Sequence, residues 1–371
     1  MATWLVTGGA GFIGANFVRA VLRDTPHAVV VLDSLTYAGH LASLAGLESD
    51  GRFRFMKGDV ADRGDVEAAY RAAKPDAVIH FAAETHVDRS IDGPRDFVRT
   101  NVVGTQEMLE GARLHLEGLA PATRTGFRFL HVSTDEVYGS LGETGRFTED
   151  SPYLPNSPYA ASKAAADHLA RAYHETFGLP IIITNTANNY GPYQFPEKLI
   201  PLMTLAALEG RPLPVYGDGM NVRDWIYVED HVEGLRAVLE RGRPGAKYNL
   251  GAHDEHTNRE IVDAVCDSLE RHAPAARNEA LAARGVRRYR DLVMFVKDRP
   301  GHDRRYAIDA SKAQRELGWS ARIPFADGLD RTVAWYAANR AWCDAVTPAG
   351  AGRERRGLAA GTPAPAPEPR R

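Results

Sequence analysis

Trp4-Leu5-Val6-Thr7-Gly8-Gly9-Ala10-Gly11-Phe12-Ile13-Gly14 runs a short apolar strand into a glycine-rich turn, with Gly8, Gly11 and Gly14 three residues apart. Glycines at this spacing let the backbone turn tightly and approach a pyrophosphate, whose charge is met by N–H groups at the start of the helix running on through Asn16 to Arg23. A lone glycine pattern is weak, but here strand and helix flank it. Ala28-Val29-Val30-Val31-Leu32-Asp33 then reads as a second strand and sets a carboxylate 19 residues beyond Gly14. A carboxylate there accepts from adenosine ribose hydroxyls and repels a 2′-phosphate, so the turn and Asp33 together predict an NAD site rather than an NADP site.

Further out, Phe53-Arg54-Phe55-Met56 reads as a third strand ending near Asp59, a candidate acceptor for the adenine amino group. Ala77-Val78-Ile79-His80-Phe81 reads as a fourth, ending in Ala82-Ala83-Glu84-Thr85-His86. Small residues at 82 and 83 suit close approach of a ligand to the backbone. Short apolar strands alternating with helical stretches give βαβ units, hence an α/β fold with a doubly wound parallel sheet. Residues 1–190 are assigned to this Rossmann domain. Beyond 190 the pattern loosens into a smaller α/β substrate-binding lobe, 191–345. Lys247-Tyr248-Asn249-Leu250-Gly251 is read as a strand returning to the first sheet, so that the lobes interleave.

The chain has 371 residues, 44% hydrophobic and 25% charged, with a formal net charge of −3. That balance gives no bulk attraction to nucleic acid or to an anionic membrane, so an anionic ligand has to be held locally. Met1 leads straight into a strand with no basic and apolar leader, and no run of 18 apolar residues occurs. Cys266 and Cys343 lie far apart and lack Cys-x-x-Cys spacing, which fits two free thiols and a cytoplasmic location. Residues 271–290 read as a surface helix and loop, and the Ala/Pro/Arg-rich stretch 346–371 as a disordered tail.

Two further stretches carry chemistry. Ser133-Thr134-Asp135-Glu136-Val137-Tyr138-Gly139 follows the strand Phe127-Arg128-Phe129-Leu130-His131-Val132, so its two carboxylates sit where a parallel strand ends and ligands bind. Ser157-Pro158-Tyr159-Ala160-Ala161-Ser162-Lys163 has an N-cap serine and a proline at the first helical position, with an alanine-rich continuation to Phe177. Tyr159 and Lys163 thus share one helical face at i and i+4. A nearby ammonium and a cationic nicotinamide favour the phenolate, making Tyr159 a candidate base with its pKa lowered by Lys163. Glu84, His86 and Asp88 lack the spacing of a metal centre; Glu84 and His86 are read as polar lining of the cleft, and no metal is expected.

Taken together, Thr7 to Gly14, Ala82 to Ser90, Ser133 to Gly139, Tyr159 with Lys163, Asn188-Asn189-Tyr190-Gly191-Pro192-Tyr193 and Asp298 to Tyr306 resemble the extended short-chain dehydrogenase/reductase enzymes acting on nucleotide sugars. These motifs occur in order and span residues 3 to about 340. The resemblance implies tightly bound NAD, regenerated each turnover, and a nucleotide-sugar substrate, dTDP-glucose, whose thymidine base rests on the resemblance alone. Tyr159 would take the C4 hydroxyl proton while hydride leaves C4, with Thr134 orienting the C4 oxygen and Lys163 fixing the ribose. Glu136 would remove the C5 proton, and Asp135, kept protonated by its charged neighbour, would protonate the departing C6 hydroxyl. Hydride returning to C6 would give a 4-keto-6-deoxy sugar.

The same resemblance extends the cofactor contacts to Phe12, Ile13, Ser34, Thr36, Val60, Phe81, Thr85, Thr100 and Asn189. On the substrate side it implies Glu84, Thr85, Asn188, Leu199, Pro214 and Asn258. Lys198 is a cation for the diphosphate beside a helix start; Tyr216, in a turn at 214–219, is a candidate stacking ring; Arg223, Arg299 and His302 are candidate phosphate clamps. A C4-epimerase shares the turn, the Tyr-x-x-x-Lys pair and the lobes but needs no C5/C6 acid–base pair, so Asp135-Glu136 favours dehydration. A GDP-mannose dehydratase remains open, as does a silent NAD-binding module. A homodimer is expected by analogy, pairing helices at 95–117 and 159–177.

Overall fold

The computed structural model describes residues 1–120, 124–298 and 302–347. Its strands are β1 (Thr3–Thr7), β2 (Ala28–Asp33), β3 (Phe53–Lys57), β4 (Ala77–His80), β5 (Arg128–Thr134) and β6 (Ile181–Thr186). They are followed by β7 (Asn188–Tyr190), β8 (Leu213–Tyr216), β9 (Val222–Tyr227), β10 (Lys247–Leu250), β11 (Glu255–Thr257) and β12 (Val293–Val296). Seven form one sheet in the order β10-β6-β5-β4-β1-β2-β3, parallel throughout. The chain order reverses between β1 and β4, and that switch point is where an open parallel sheet opens a crevice at its carboxyl edge.

Alternation along the strands builds the two faces. Trp4 and Val6 of β1 and Val29 and Val31 of β2 pack with helices Phe12–Asp24 and Val228–Arg241 through Phe17, Val21, Leu235 and Val238. Leu5, Val30 and Leu32 point the other way, into a layer made by Val66, Tyr70, Met108, Leu109 and Ala170 of helices Arg63–Ala73, Gly104–Glu117 and Pro158–Phe177. Strands covered on both faces need continuous apolar runs, which is why Val29-Val30-Val31 carries no polar residue.

The remaining strands make a three-stranded sheet, β11-β9-β7, and a two-stranded pair, β12-β8. These surround a second core of Tyr190, Met203, Trp225, Ile261, Val265 and Phe325. Several expectations are corrected here. The segment 271–290 is exposed over most of its length but anchored at points the sequence did not show: Leu281 and Tyr289 are fully buried in that core, and the Tyr289 hydroxyl donates to the Ala273 carbonyl at 2.7 Å. Pro214 and Tyr216 lie in β8, and the turn starts only at Gly217. The helix expected over 95–117 is a short turn Pro94–Phe97, a π-helical stretch Val98–Val103 and the helix Gly104–Glu117. Val346, expected to open the tail, instead closes a helix and is buried; residues 348–371 fall outside the described ones.

Cys266 and Cys343 are buried free thiols. Among the described residues no helix is long and apolar enough to cross a membrane.

Candidate active site

One cleft runs along the carboxyl edge of the large sheet. The glycine turn forms its floor. Gly8 has φ +67°, and a Cβ there would fall 2.7 Å from the Ala82 nitrogen, while a Cβ on Gly14 would strike the Gly8 carbonyl. Side chains are excluded at both positions, which leaves a bare backbone cradle at the N-terminus of Phe12–Asp24, suited to a pyrophosphate. Asp33, at the end of β2, is buried and accepts from the Ala10 N–H at 2.9 Å and the Leu35 N–H at 2.8 Å, so its carboxylate is fixed beside the turn. Asp59 lines the same cleft but is tied to Arg99 Nη1 at 2.6 Å, a partner not expected from the sequence. This set of a bare turn, a strand-end acid and apolar walls at Phe12, Ile13 and Val60 fits a dinucleotide.

Every expected cofactor residue lines this cleft: the turn glycines with Phe12 and Ile13, then Asp33, Ser34, Thr36, Asp59 and Val60, then Phe81, Ala82, Ala83, Thr85 and Thr100, and finally Tyr159, Lys163 and Asn189. Glu84, Thr134, Asp135, Glu136, Asn188 and Lys198 line it too. A π-helical turn, a frequent mark of functional sites, holds part of the wall. It aims Asn101 so that Oδ1 accepts from the Glu84 N–H at 2.8 Å, while Nδ2 donates to the Glu84 carbonyl at 3.0 Å and to Ser162 Oγ at 2.8 Å.

The strand end differs slightly from expectation. β5 continues through Ser133 and Thr134, pairing Thr134 with Thr186 of β6, and Asp135 opens a 3₁₀ turn over Asp135–Tyr138. Thr134 Oγ1 caps that turn by accepting the Glu136 N–H at 3.2 Å. Asp135 is 1% exposed. Burial first, then the Glu136 and Asp224 carboxylates, push its pKa well above the ordinary carboxylate range, with Arg223 pulling the other way. Desolvation rather than the charged neighbour is therefore the main cause of that rise.

The helix Pro158–Phe177 is capped as expected: Ser157 Oγ accepts the Ala160 N–H at 3.1 Å, and Gly178 closes the far end in a left-handed conformation. Tyr159 and Lys163 both face the cleft and are buried. The expected depression of the tyrosine is not found within the protein. Burial, then the Glu136 carboxylate, raise the Tyr159 pKa, against a hydrogen-bonding contact with Thr134. Lys163 Nζ donates to the Val132 carbonyl at 2.9 Å, and burial pushes its pKa down to about 8.

The other substrate-side residues lie outside the lining of this cleft. Arg223 is buried, with Nη2 donating to the Asp303 carbonyl at 2.8 Å and its guanidinium 4.1 Å over the Tyr306 ring. His302 Nδ1 is 2.7 Å from Asp298 Oδ1, and its ring meets Tyr216 edge-on at 6.3 Å. Asn258 is the first residue of the helix Asn258–His272 and donates its N–H to the Asn221 carbonyl at 3.0 Å. Leu199 and Pro214 sit at the start of the helix Leu199–Leu208 and in β8. Arg299 falls outside the described residues.

Among the lining residues missed from sequence are Gln194, Phe195 and Glu197. Glu197 accepts from Arg89 Nε at 3.3 Å and lies 3.7 Å from His86 Nε2; Arg89 in turn stacks 3.6 Å over the Tyr37 ring. His86 thus serves Glu197 rather than the lining. The acid stood in plain view beside Lys198, but its partners are more than a hundred residues away in sequence.

A doubly wound parallel sheet with a glycine cradle, a strand-end acid pair and a facing Tyr-x-x-x-Lys helix defines a short-chain dehydrogenase/reductase of the extended, nucleotide-sugar type. The family described as GDP-mannose 4,6 dehydratase matches residues 5–332. The chain is 56% identical to the dTDP-glucose 4,6-dehydratase of Xanthomonas campestris pv. campestris (strain B100) over 347 residues, 93% of this chain and 96% of that one. With the enzyme of the same name from Salmonella typhimurium it shares 49% over 351 residues, 92% of this chain and 94% of the other. The chain belongs to the dTDP-glucose 4,6-dehydratase family.

Solved structures agree. The dTDP-glucose 4,6-dehydratase of Streptomyces venezuelae, crystallised with NAD bound, superimposes with a TM-score of 0.83 at 48% identity, covering 93% of this chain and 100% of that one. The UDP-glucose 4-epimerase of Thermus thermophilus, in complex with NAD, superimposes with a TM-score of 0.77 at 30% identity, over 91% of this chain and 99% of that one. Dehydratases and epimerases thus share this fold, so the fold alone does not choose between them.

Proposed function

We propose that this chain dehydrates dTDP-glucose to dTDP-4-keto-6-deoxyglucose with bound NAD. The observation that carries this reading is Asp135, buried and with its pKa raised by that burial, beside Glu136 in the cleft that also contains Tyr159 and Lys163. NAD, when bound, supplies the hydride acceptor for C4 and the hydride donor for C6.

The chain's own residues do the rest. Tyr159 receives the C4 hydroxyl proton on its phenolic oxygen, and Thr134 Oγ1 orients the C4 oxygen. Lys163 fixes the ribose and supplies positive charge that favours the phenolate in a site where burial opposes it. The C4 ketone acidifies C5, whose proton Glu136 removes. Asp135 donates its proton to the C6 hydroxyl, and water leaves; a proton then returns to C5. Two neighbouring carboxyls with opposite protonation make an acid and a base at one pH. An epimerase has no use for that pair.

On the substrate side, Glu84, Thr85, Asn188 and Lys198 meet the sugar and diphosphate. Lys198 Nζ already reaches the Thr85 carbonyl at 3.1 Å, which holds the ammonium at the cleft mouth. Leu199, Pro214, Tyr216, Arg223, Asn258, Arg299 and His302 serve the nucleotide side. NMR of purified protein incubated with dTDP-glucose tests the reading: a 4-keto-6-deoxy sugar is expected. Appearance of galactose configuration, or consumption of GDP-mannose with dTDP-glucose untouched, would overturn it.

The chain works as a homodimer built from the helices over 94–117 and 158–177, whose outer faces leave Val98, Val103, Leu114 and Phe177 exposed. Apolar side chains on adjoining helices suit packing against a second copy. Sedimentation should give twice the chain mass, and Val103→Glu with Phe177→Glu should halve it; a wild-type monomer at micromolar concentration rules the dimer out.

A further inference from the structure

The helix that presents Tyr159 and Lys163 carries a third titratable residue on the same face one turn later, Asp167, which the proposed reaction does not use. Tyr159, Lys163 and Asp167 follow one another at i, i+4 and i+8. Asp167 is 2% exposed and is the focus of a closed hydrogen-bond cluster. Its Oδ1 lies 3.0 Å from His131 Nε2, and its Oδ2 accepts from the Tyr153 hydroxyl at 2.8 Å and from Asn185 Nδ2 at 3.2 Å. Those donors come from β5, the loop before the helix, and β6. His131 adjoins Val132, whose carbonyl accepts from Lys163 Nζ.

A carboxylate buried in this way is costly unless it is paired. His131 does not supply a permanent positive charge: it is fully buried, and burial lowers its pKa, so the imidazole is neutral at ordinary pH. Its neighbour His80, with ring centroids 5.6 Å apart, is likewise buried and lowered. Hydrogen bonds from His131 and the nearby charges hold the Asp167 carboxyl below its ordinary range despite burial. The cations around it are Lys163 on its own helix and Lys247 of β10, whose Nζ lies 4.5 Å from the centre of the Tyr153 ring. Tyr138 and Tyr153 also face the carboxylate but stay protonated, because burial raises both. Asp167 is the carboxylate that acts on buried Lys163.

We propose that Asp167, locked by His131, Tyr153 and Asn185, is a positioning residue: the buried counter-charge that keeps Lys163 protonated and so sustains proton transfer at Tyr159. This rests on the reading of Tyr159 and Lys163 above. Removing the negative charge leaves an ammonium buried without compensation, which then gives up its proton at lower pH. The isosteric Asp167→Asn keeps an acceptor for Tyr153 and is the variant of choice.

The holoenzyme with NAD bound is titrated twice, once for turnover and once for the Lys163 ammonium by carbon NMR of protein labelled with ¹³Cε-lysine, with Lys163→Met as the blank. The NMR reading needs no turnover, so it separates failure of this proposal from failure of the assigned reaction. In Asp167→Asn the alkaline fall in activity and the Lys163 transition should both move down by about one pH unit from their wild-type positions, while Asp167→Glu restores both. A folded Asp167→Asn with both transitions in their wild-type places would overturn the proposal. So would a series in which Asp167→Asn and Asp167→Ser give no soluble protein and only Asp167→Glu folds, for the carboxylate would then be a requirement of folding.

Discussion

Glu136→Gln should leave oxidation at C4 in place and abolish proton exchange at C5. The amide matches the carboxylate in size and still receives the same turn, because the Glu136 N–H bond to Thr134 Oγ1 is a main-chain contact. What it loses is the ability to accept a proton. General base catalysis by a positioned side chain contributes roughly 10²–10⁴-fold, and overall turnover should fall by about that factor. In heavy water the wild type should label C5 and the variant should not. Acid-quenched single turnovers analysed by mass spectrometry should show the nucleotide-bound 4-keto sugar that still carries its C6 oxygen. Unchanged C5 labelling would remove Glu136 from the role of base. The variant also removes a negative charge next to Asp135, but burial is the larger cause of that residue's raised pKa, so Asp135 should remain the acid.

The parts legible in the sequence are those whose signal is local. The glycine turn, the acid at the end of β2, the acid pair at the end of β5 and the N-capped Tyr-x-x-x-Lys helix each sit within a single strand–turn–helix, where spacing fixes direction. The parallel doubly wound sheet and the return of Lys247–Leu250 to it followed from the same alternation of short apolar strands; the strand order and the pairing with β6 come from the structure. Less legible were groups whose meaning depends on distant partners. Arg223 looked like a free phosphate clamp, yet its guanidinium is partly engaged by the Asp303 carbonyl and Tyr306, about eighty residues on. Residues 271–290 looked like surface because their apolar residues are sparse; Leu281 and Tyr289 are enough to anchor them in the second core. For Tyr159, helical spacing reveals that a lysine is near but not how dry the site is, and burial is the largest cause that raises the tyrosine pKa.

Tyr159→Phe should give the mirror image of the Glu136 variant. Without the phenolic oxygen the base assigned to the C4 hydroxyl is gone: Glu136 serves C5 in this reading, and Lys163 is bonded to the Val132 carbonyl. Turnover of dTDP-glucose should drop by roughly 10³–10⁴-fold, at the upper end for a general base because every later step waits on the C4 ketone. That dependence supplies the discriminating measurement. Given the ready-made 4-keto-6-deoxy product in heavy water, Tyr159→Phe should still label C5, because Glu136 and the carbonyl that acidifies C5 are both present; Glu136→Gln should not. A Tyr159→Phe protein that turns over dTDP-glucose within tenfold of wild type would take the tyrosine out of the reaction, and one that fails to label C5 of the keto product would show that the two proton transfers are not separable. The opposite labelling of the two variants would establish that the helix supplies the base for C4 and the end of β5 supplies the base for C5.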